Sequence, residues 1–355
     1  MNRYQFLQEF LDALGPLSEE EKQQISDYYE ELICDGLEQG LSEEEVLARF
    51  GSPQDEARRF REENPSPEPN REASLFTPSG PVHTLDLSVK EVRISLVSTE
   101  DPQLSIRFLF DPSRAHVESR QENGVWYFRH IPGKKRLREF FGLGGMRSEL
   151  TVFVPEQFHG TLLLQTRNAK INGESLPALE RLEAVTSNSS IRLEKLGADA
   201  CRLKTSNAPI HLAGFVGNTL EAHSSNSSLT AEFVRCASQR WETSNSSIRL
   251  TDLQAAFLTA ATSNGRISAN GCQAREISLA SSNSSIVFER IEGEKLTICT
   301  SNGAITGTVC GDPAEYRTEG RTSNASCNLP VCSAPERGKT LSVITSNGKI
   351  QVEFV

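Results

Sequence analysis

Residues 262–267 read Thr-Ser-Asn-Gly-Arg-Ile, and close variants of this hexapeptide recur from residue 166 to residue 350. Most successive copies are 19 residues apart, and the last two intervals are of 22 and 23 residues. A nearly fixed interval is typical of a solenoid, in which each repeat forms one coil stacked on the previous one. The asparagines that mark the copies are Asn168, Asn188, Asn207, Asn226, Asn245, Asn264, Asn283, Asn302, Asn324 and Asn347.

Polar and apolar residues alternate around each of these asparagines. Three residues after the asparagine stands mostly Ile, as at Ile191 and Ile210, and eight residues after it stands an apolar residue, as at Phe215 and Leu253. Such alternation predicts strands whose inward side chains form core columns along the solenoid axis. We therefore predict a mainly β fold, a right-handed parallel β-solenoid (β-helix) preceded by a small all-α helical bundle.

The Ser-Asn-Gly or Ser-Asn-Ser tripeptide of most copies is predicted to form a sharp turn, because asparagine and glycine tolerate a left-handed backbone. Coils stack about 4.8 Å apart, so we expect the asparagine side chains to hydrogen-bond to one another as a structural ladder. The alternative is that the Ser, Thr and Asn side chains of this edge form a stripe that binds glycans.

The pattern changes along the chain in a way that predicts four regions. Residues 1–63 carry apolar residues at helical spacing and predict an acidic helical domain. Residues 64–74 are rich in proline and predict an extended linker. Residues 75–160 show the period-two alternation of strands and are expected to cap the first end of the repetitive solenoid, which covers residues 161–355.

Several helix boundaries can be predicted within residues 1–63. The apolar stripe that begins at Phe6 ends before Gly15, which stops the first helix. Two Ser-x-x-Glu capping boxes, at residues 18–21 and 42–45, mark further helix starts. A last helix is expected to begin at Ser52-Pro53.

The last copy of the repeat, residues 344–355, keeps the full pattern, and we expect no separate cap beyond it. A bare terminal coil exposes unpaired backbone groups beside apolar side chains. We expect the insertions near residues 312–316 and 333–337 to fold over this end as a lid. The alternative is that the bare edge pairs with a second copy of the chain.

The net charge of −10 is unevenly distributed. Residues 1–64 hold 6 Lys and Arg against 17 Asp and Glu, and the rest of the chain is nearly balanced. This distribution disfavours nucleic-acid binding, which depends on clustered basic residues. The one basic cluster, residues 134–138, is interpreted as a solvated loop. No signal peptide or membrane span is recognisable, so we expect a cytoplasmic protein.

Residues that could carry chemistry are scattered through the repeats. The eight cysteines form no Cys-x-x-Cys pair, and those in core columns are interpreted as buried thiols. The aspartates and histidines of the solenoid occupy unlike positions in the repeat, which disfavours a paired acid and base. We therefore predict no catalytic residue, metal site or cofactor. The residues considered are Cys201, Cys272, Cys310, Cys327 and Cys332, with a Cys310–Cys332 disulfide left open, together with Asp199, Asp252, Asp312, His211 and His223.

Residues 1–63 resemble the HAAS domain, a small helical bundle of bacterial signalling and envelope proteins. The resemblance is carried by Tyr28-Tyr29-Glu30-Glu31, Asp35-Gly36-Leu37-Glu38 and Phe50-Gly51-Ser52-Pro53. It implies a docking role at the cytoplasmic side of a membrane and an association with regulators of the PadR type.

Residues 75–355 resemble the bacterial putative-adhesin family of β-helical domains of unknown function. The resemblance is carried by the strand Leu150-Thr151-Val152-Phe153-Val154-Pro155, which leads into coils of the Thr-Ser-Asn-Gly-x-Ile type. It implies a β-helix, with an adhesive, membrane-associated or cell-surface role.

Three functional hypotheses follow from these patterns. The first is a non-enzymatic interaction scaffold, in which the acidic helical domain binds a protein partner and the solenoid binds a glycan or envelope ligand. The second is a carbohydrate-binding cell-surface adhesin. The third is a carbohydrate-active enzyme on a β-helix, which the scattered carboxylates disfavour. The sequence leaves the oligomeric state open.

Overall fold

The structure is a computed structural model that describes residues 2–15, 22–23, 25–26, 29–30, 32–33, 37, 41–63, 72–110, 115–132, 148–333 and 338–355. The chain divides into two compact units. A helical unit lies within residues 1–72, and a β unit comprises residues 73–110, 116–131 and 148–355.

The helical unit contains α1 (Arg3–Leu14), α2 (Glu43–Phe50) and α3 (Pro53–Glu63). The predicted capping box is present at the start of α2, where the Ser42 side chain accepts a hydrogen bond from the backbone N–H of Glu45. The predicted box at residues 18–21 lies outside the described residues. Of the described helices, none is long and apolar enough to cross a membrane.

An aromatic core holds the helical unit together. The ring centroids of Phe10 and Tyr29 lie 4.5 Å apart, and Phe60 contacts Phe10 edge to face. The Tyr29 hydroxyl donates a hydrogen bond of 2.8 Å to the Glu56 carboxylate, which satisfies the polar end of a ring that is otherwise buried.

The β unit is built from short strands in chain order. They are β1 (Glu72–Phe76), β2 (Thr84–Ser88), β3 (Arg93–Thr99), β4 (Ser105–Phe110), β5 (Ala115–Glu122), β6 (Val125–Pro132), β7 (Glu149–Pro155), β8 (Thr161–Gln165), β9 (Ile171–Glu174), β10 (Ala178–Val185), β11 (Ile191–Lys204), β12 (Ile210–Ser224), β13 (Leu229–Glu232), β14 (Arg235–Thr243), β15 (Ile248–Thr251), β16 (Gln254–Thr262), β17 (Ile267–Asn270), β18 (Gln273–Ser281), β19 (Ile286–Ile291), β20 (Lys295–Cys299), β21 (Ile305–Val309), β22 (Tyr316–Arg321), β23 (Lys339–Ile344) and β24 (Ile350–Phe354).

These strands form a solenoid of about nine turns. Equivalent residues of successive coils pair in parallel, so that Ile191 pairs with Ile210 and Ile210 pairs with Leu229. All three side chains are fully buried, as the column pattern predicts. The predicted fold class, a mainly β solenoid preceded by helices, is confirmed.

The first end of the solenoid contains a coil that precedes the first hexapeptide. Strand β2 pairs in parallel with β6 on one side and with β8 on the other, and β3 lies in the same way between β7 and β9. Residues 84–99 therefore form an inner coil rather than the outer cap. The outer layer is made by strands that follow them in sequence.

The other end is threaded in a similar way. The last strands, β23 and β24, pair with β20 and β21 of the coil around Asn302, and β22 pairs with the opposite edge of β23. The final coil in sequence is thus the penultimate coil in space. The expectation of a bare terminal coil is wrong, because residues 316–333 form the outer layer. Residues 334–337 of the expected lid lie outside the described residues.

The sharp left-handed corner is not at the asparagine, as we had expected from the sequence. No marker asparagine has a positive φ, and glycine follows Asn302 because a Cβ at Gly303 would collide with the backbone oxygen of Ser284. The left-handed corner lies seven residues after the asparagine. Its members have φ between 50° and 64° and are Ser175, Lys195, Gly214, Phe233, Asp252, Gly271 and Arg290.

Candidate functional site

The marker asparagines form one continuous row along an edge of the solenoid. Each donates its side-chain Nδ2–H to the Oδ1 of the neighbouring asparagine, as Asn188 does to Asn168 at 2.7 Å. Nine such bonds of 2.6 to 2.8 Å connect the ten residues. The row runs through Asn302 to Asn347 and then to Asn324, which follows the spatial order of the coils.

A buried column of Thr and Ser fixes the backbone beside this row. The Thr300 hydroxyl donates to the backbone oxygen of Ser284 at 3.0 Å, and the Thr345 hydroxyl donates to that of Gly303 at 3.1 Å. Each hydroxyl thus ties one coil to its neighbour. Because one donor and one acceptor of every inner asparagine amide are also used within the row, this edge serves chiefly to hold the coils together.

Glu91 ends the asparagine row, and sequence reasoning missed it. Asn168 donates its Nδ2–H to the Glu91 carboxylate at 3.3 Å. Ile94 pairs with Ile171, so Glu91 stands at the position of the asparagine in the inner coil of residues 84–99. All amides of the row direct an N–H toward this end, where a negative charge is favourable. The signal in the sequence was the spacing of three residues to Ile94.

The left-handed corner carries the most developed concave surface among the described repeats. We call it the corner groove, and it has a volume of about 350 Å³. Its walls are two columns of four residues that come from four successive coils. They are Gly214, Phe233, Asp252 and Gly271, and beside them Val216, Arg235, Gln254 and Gln273.

Apolar surface is unusually exposed in the corner groove. Phe233 is 61% exposed and Val216 is 60% exposed. Phe233 also has a φ of 55°, a conformation that is sterically unfavourable for a bulky side chain. Its neighbours in the column avoid this strain at Gly214 and Gly271. The Asp252 carboxylate lies over Gly271, where a Cβ would collide with it.

Four polar side chains of the corner groove make no hydrogen bond or ion pair within the described part of the chain. They are Arg235, Asp252, Gln254 and Gln273. Elsewhere on the solenoid, charged neighbours pair readily, as Arg192 does with Glu194 at 2.6 Å and Lys195 with Glu174 at 3.0 Å. The corner groove therefore combines exposed apolar surface with unused hydrogen-bonding groups.

A comparison with family models explains the architecture. The Toastrack DUF4097 model matches residues 82–353, which is most of the chain. The chain belongs to the Toastrack DUF4097 family. The HAAS model matches residues 5–59, so a HAAS domain precedes the Toastrack domain. No curated protein matches the sequence.

Three solved structures are similar to the Toastrack domain. They are a putative cell adhesion protein from Clostridium sporogenes (10% identity, TM-score 0.26), a putative adhesin from Bacteroides fragilis (10%, 0.33) and a putative adhesin from Parabacteroides merdae (10%, 0.34). Each match covers 81% of this chain and 100%, 99% and 97% of the respective neighbour. These TM-scores are too low to bear on function.

The predicted candidates for chemistry are engaged separately in the Toastrack domain. Asp199 accepts a hydrogen bond from Asn218 at 3.0 Å, and Asp312 accepts one from the backbone N–H of Ala314 at 2.9 Å. His211 lies 4.0 Å from Glu194. None of these contacts joins two of the candidates. Within the described residues, no group of three or more metal-ligating side chains occurs.

The described cysteines of the Toastrack domain are free thiols, including Cys310 and Cys332. Cys201 and Cys272 are buried, as predicted. Burial raises the pKa of Cys201, and it raises the pKa of Cys272 to about 11. Cys327 is exposed, which contradicts its assignment to the core, because its coil is the outermost one at the end of the solenoid.

Proposed function

We propose that the protein is a non-enzymatic interaction protein, in which the Toastrack domain binds its ligand through the corner groove while the HAAS domain binds a second partner. The observation that carries this proposal is the exposed Phe233 beside four polar side chains without internal partners. Aromatic residues and arginine contribute a large share of the energy at binding surfaces.

A rigid solenoid suits such a role. The parallel strand pairs, the buried hydroxyls and the asparagine row connect each coil to both neighbours, so surface residues on different coils keep fixed distances. The inserted coils at both ends leave the first and last strands of the domain paired on both edges. These features support a scaffold that presents a preformed surface.

The HAAS domain supplies a second surface of opposite character. Residues 1–64 carry 17 acidic and 6 basic residues, so its partner should be basic. A regulator of the PadR type is a candidate by family resemblance. A cytoplasmic location of the protein, with membrane association or exposure at the cell surface as the alternatives, belongs to the same proposal.

Co-sedimentation tests the role of the corner groove. The full-length protein is mixed with the envelope fraction of the source bacterium and with its soluble fraction after chemical cross-linking. We expect retention by one of the two fractions, and a Phe233→Ala variant should be retained about tenfold less. Phe257→Ala is the matched control, since Phe257 is also exposed but lies outside the groove. Equal retention of all three proteins, or no retention, would contradict the proposal.

A further inference from the structure

We infer that the corner groove is a saccharide-binding site, in which a sugar ring stacks on Phe233 and its hydroxyls hydrogen-bond to Arg235, Asp252, Gln254 and Gln273. This inference rests on the proposed function, because it names the ligand class of the same groove. It moves saccharide binding away from the asparagine edge, where the sequence had placed that alternative.

The first argument is the cost of Phe233 to the fold. A left-handed backbone costs a non-glycine residue about 1 to 2 kcal/mol, and Phe233 is too exposed for burial to offset this. Residues held in unfavourable conformations are concentrated at ligand-binding sites. The ring of Phe233 is presented to solvent by the corner itself, with no side chain at Gly214 to cover its flank.

The second argument is the hydrogen-bonding inventory of the groove. Arg235 offers only donors, Asp252 offers only acceptors, and each glutamine offers both. A hydroxyl group both donates and accepts, so a chain of sugar hydroxyls can use all four side chains. A ligand that is purely apolar would leave them unpaired, at a cost for each group that loses water.

The third argument is charge. Arg235 and Asp252 line the same groove and cancel in net charge, without forming an ion pair in the described structure. A strongly anionic ligand would meet the Asp252 carboxylate, and a cationic ligand would meet the Arg235 guanidinium. The groove therefore favours a neutral polar ligand with an apolar ring face, which is the character of a pyranose.

The shape of the groove fits an elongated ligand. The two columns come from four successive coils, and coils stack about 4.8 Å apart, so the groove extends roughly 14 Å along the axis. Its volume of about 350 Å³ lies within the range of small-ligand sites. A short oligosaccharide that lies parallel to the axis can contact Phe233 and the glutamines at the same time.

The test uses a printed array of microbial, plant and mammalian oligosaccharides. Full-length protein is biotinylated and displayed on streptavidin, so that weak binding is amplified by multivalency. We expect the wild type and Phe257→Ala to bind the same set of saccharides. Phe233→Gly, which keeps the backbone conformation of the corner, and Gln254→Ala should bind that set about tenfold more weakly.

The outcomes separate this inference from the proposed function. Array binding that Phe233→Gly leaves unchanged would overturn the inference. A blank array together with Phe233-dependent retention in the co-sedimentation assay would also overturn it, and would point to a peptide ligand in the same groove. A blank array with no retention by either cell fraction would overturn the proposed function as well.

Discussion

Asn347 donates its side-chain N–H to Asn302 at 2.7 Å, although 45 residues separate them. Asn324, which lies between them in sequence, is the next member beyond Asn347 in space. The last coil of the chain is therefore inserted between two coils that precede it. This order places an inner strand at the end of the chain and an outer layer before it.

The outer layer at this end should keep the protein monomeric. Leu329 is 7% exposed and packs against Gly320 of β22, so Leu329→Lys should loosen the layer and uncover the edge of β23 and β24. Light scattering should then show dimers or larger species. Val331→Lys is the control, because Val331 is 91% exposed in the same segment and its variant should stay monomeric. A wild type that is already a dimer would contradict this closure.

The asparagine row should contribute measurably to stability. Asn245 donates to Asn226 and accepts from Asn264, each at 2.8 Å, so Asn245→Ala removes two hydrogen bonds. We expect a loss of about 1 to 2 kcal/mol in the free energy of unfolding, measured with urea. Asn324→Ala removes one bond at the end of the row and should cost less. Equal losses would argue that the row is not an energetic unit.

Replacing Phe233 by glycine should stabilise the protein even as it weakens binding. Glycine adopts a φ of 55° without steric cost, so the free energy of unfolding should rise by about 1 kcal/mol. The same change at Phe257, which lies within the regular strand β16, should lower it by about 1 kcal/mol. Thermal unfolding of both variants checks the opposite signs. A destabilised Phe233→Gly would mean that the ring supports the fold.

His130 should make the Toastrack domain sensitive to mild acid. Its ring is buried 5.2 Å from Phe108, its Nδ1 has no hydrogen-bond partner, and burial lowers its pKa below 6.5. As the pH falls through the pKa of the unfolded state, the unfolded chain takes up a proton before the folded one, so stability is lost. His130→Phe should show a smaller loss between about pH 7.5 and about pH 5.5 in urea titrations. An unchanged pH dependence would assign it to other groups.

The cysteines should differ strongly in reactivity. Cys327 is exposed and should react first with iodoacetamide, whereas burial raises the pKa of Cys236 and that of Cys272 to about 11 and leaves little thiolate. Mass spectrometry after brief labelling should find Cys327 modified and both buried thiols intact. After denaturation without reductant, all eight cysteines of the chain should react. Fewer than eight would reveal a disulfide.

The sequence was sufficient to predict the coils, because an interval that repeats places the same residue types in the same environment. The column that contains Ile191 and Ile210 is buried for this reason, and the asparagines share one edge of the solenoid. The hexapeptide is therefore a direct record of one coil. The capping box at Ser42 could be predicted for a similar reason, since its hydrogen bonds are local.

Only the tertiary structure decided the order of the coils at both ends, the place of the left-handed corner and the existence of the corner groove. Any coil with the right pattern can pair with any other, so periodicity does not specify that residues 339–355 lie between the coils of Asn302 and Asn324. The corner depends on how the backbone must turn to keep successive strands paired. The groove arises from the side chains that four coils bring together, and Phe233 and Asp252 are 19 residues apart in the chain but adjacent along the axis.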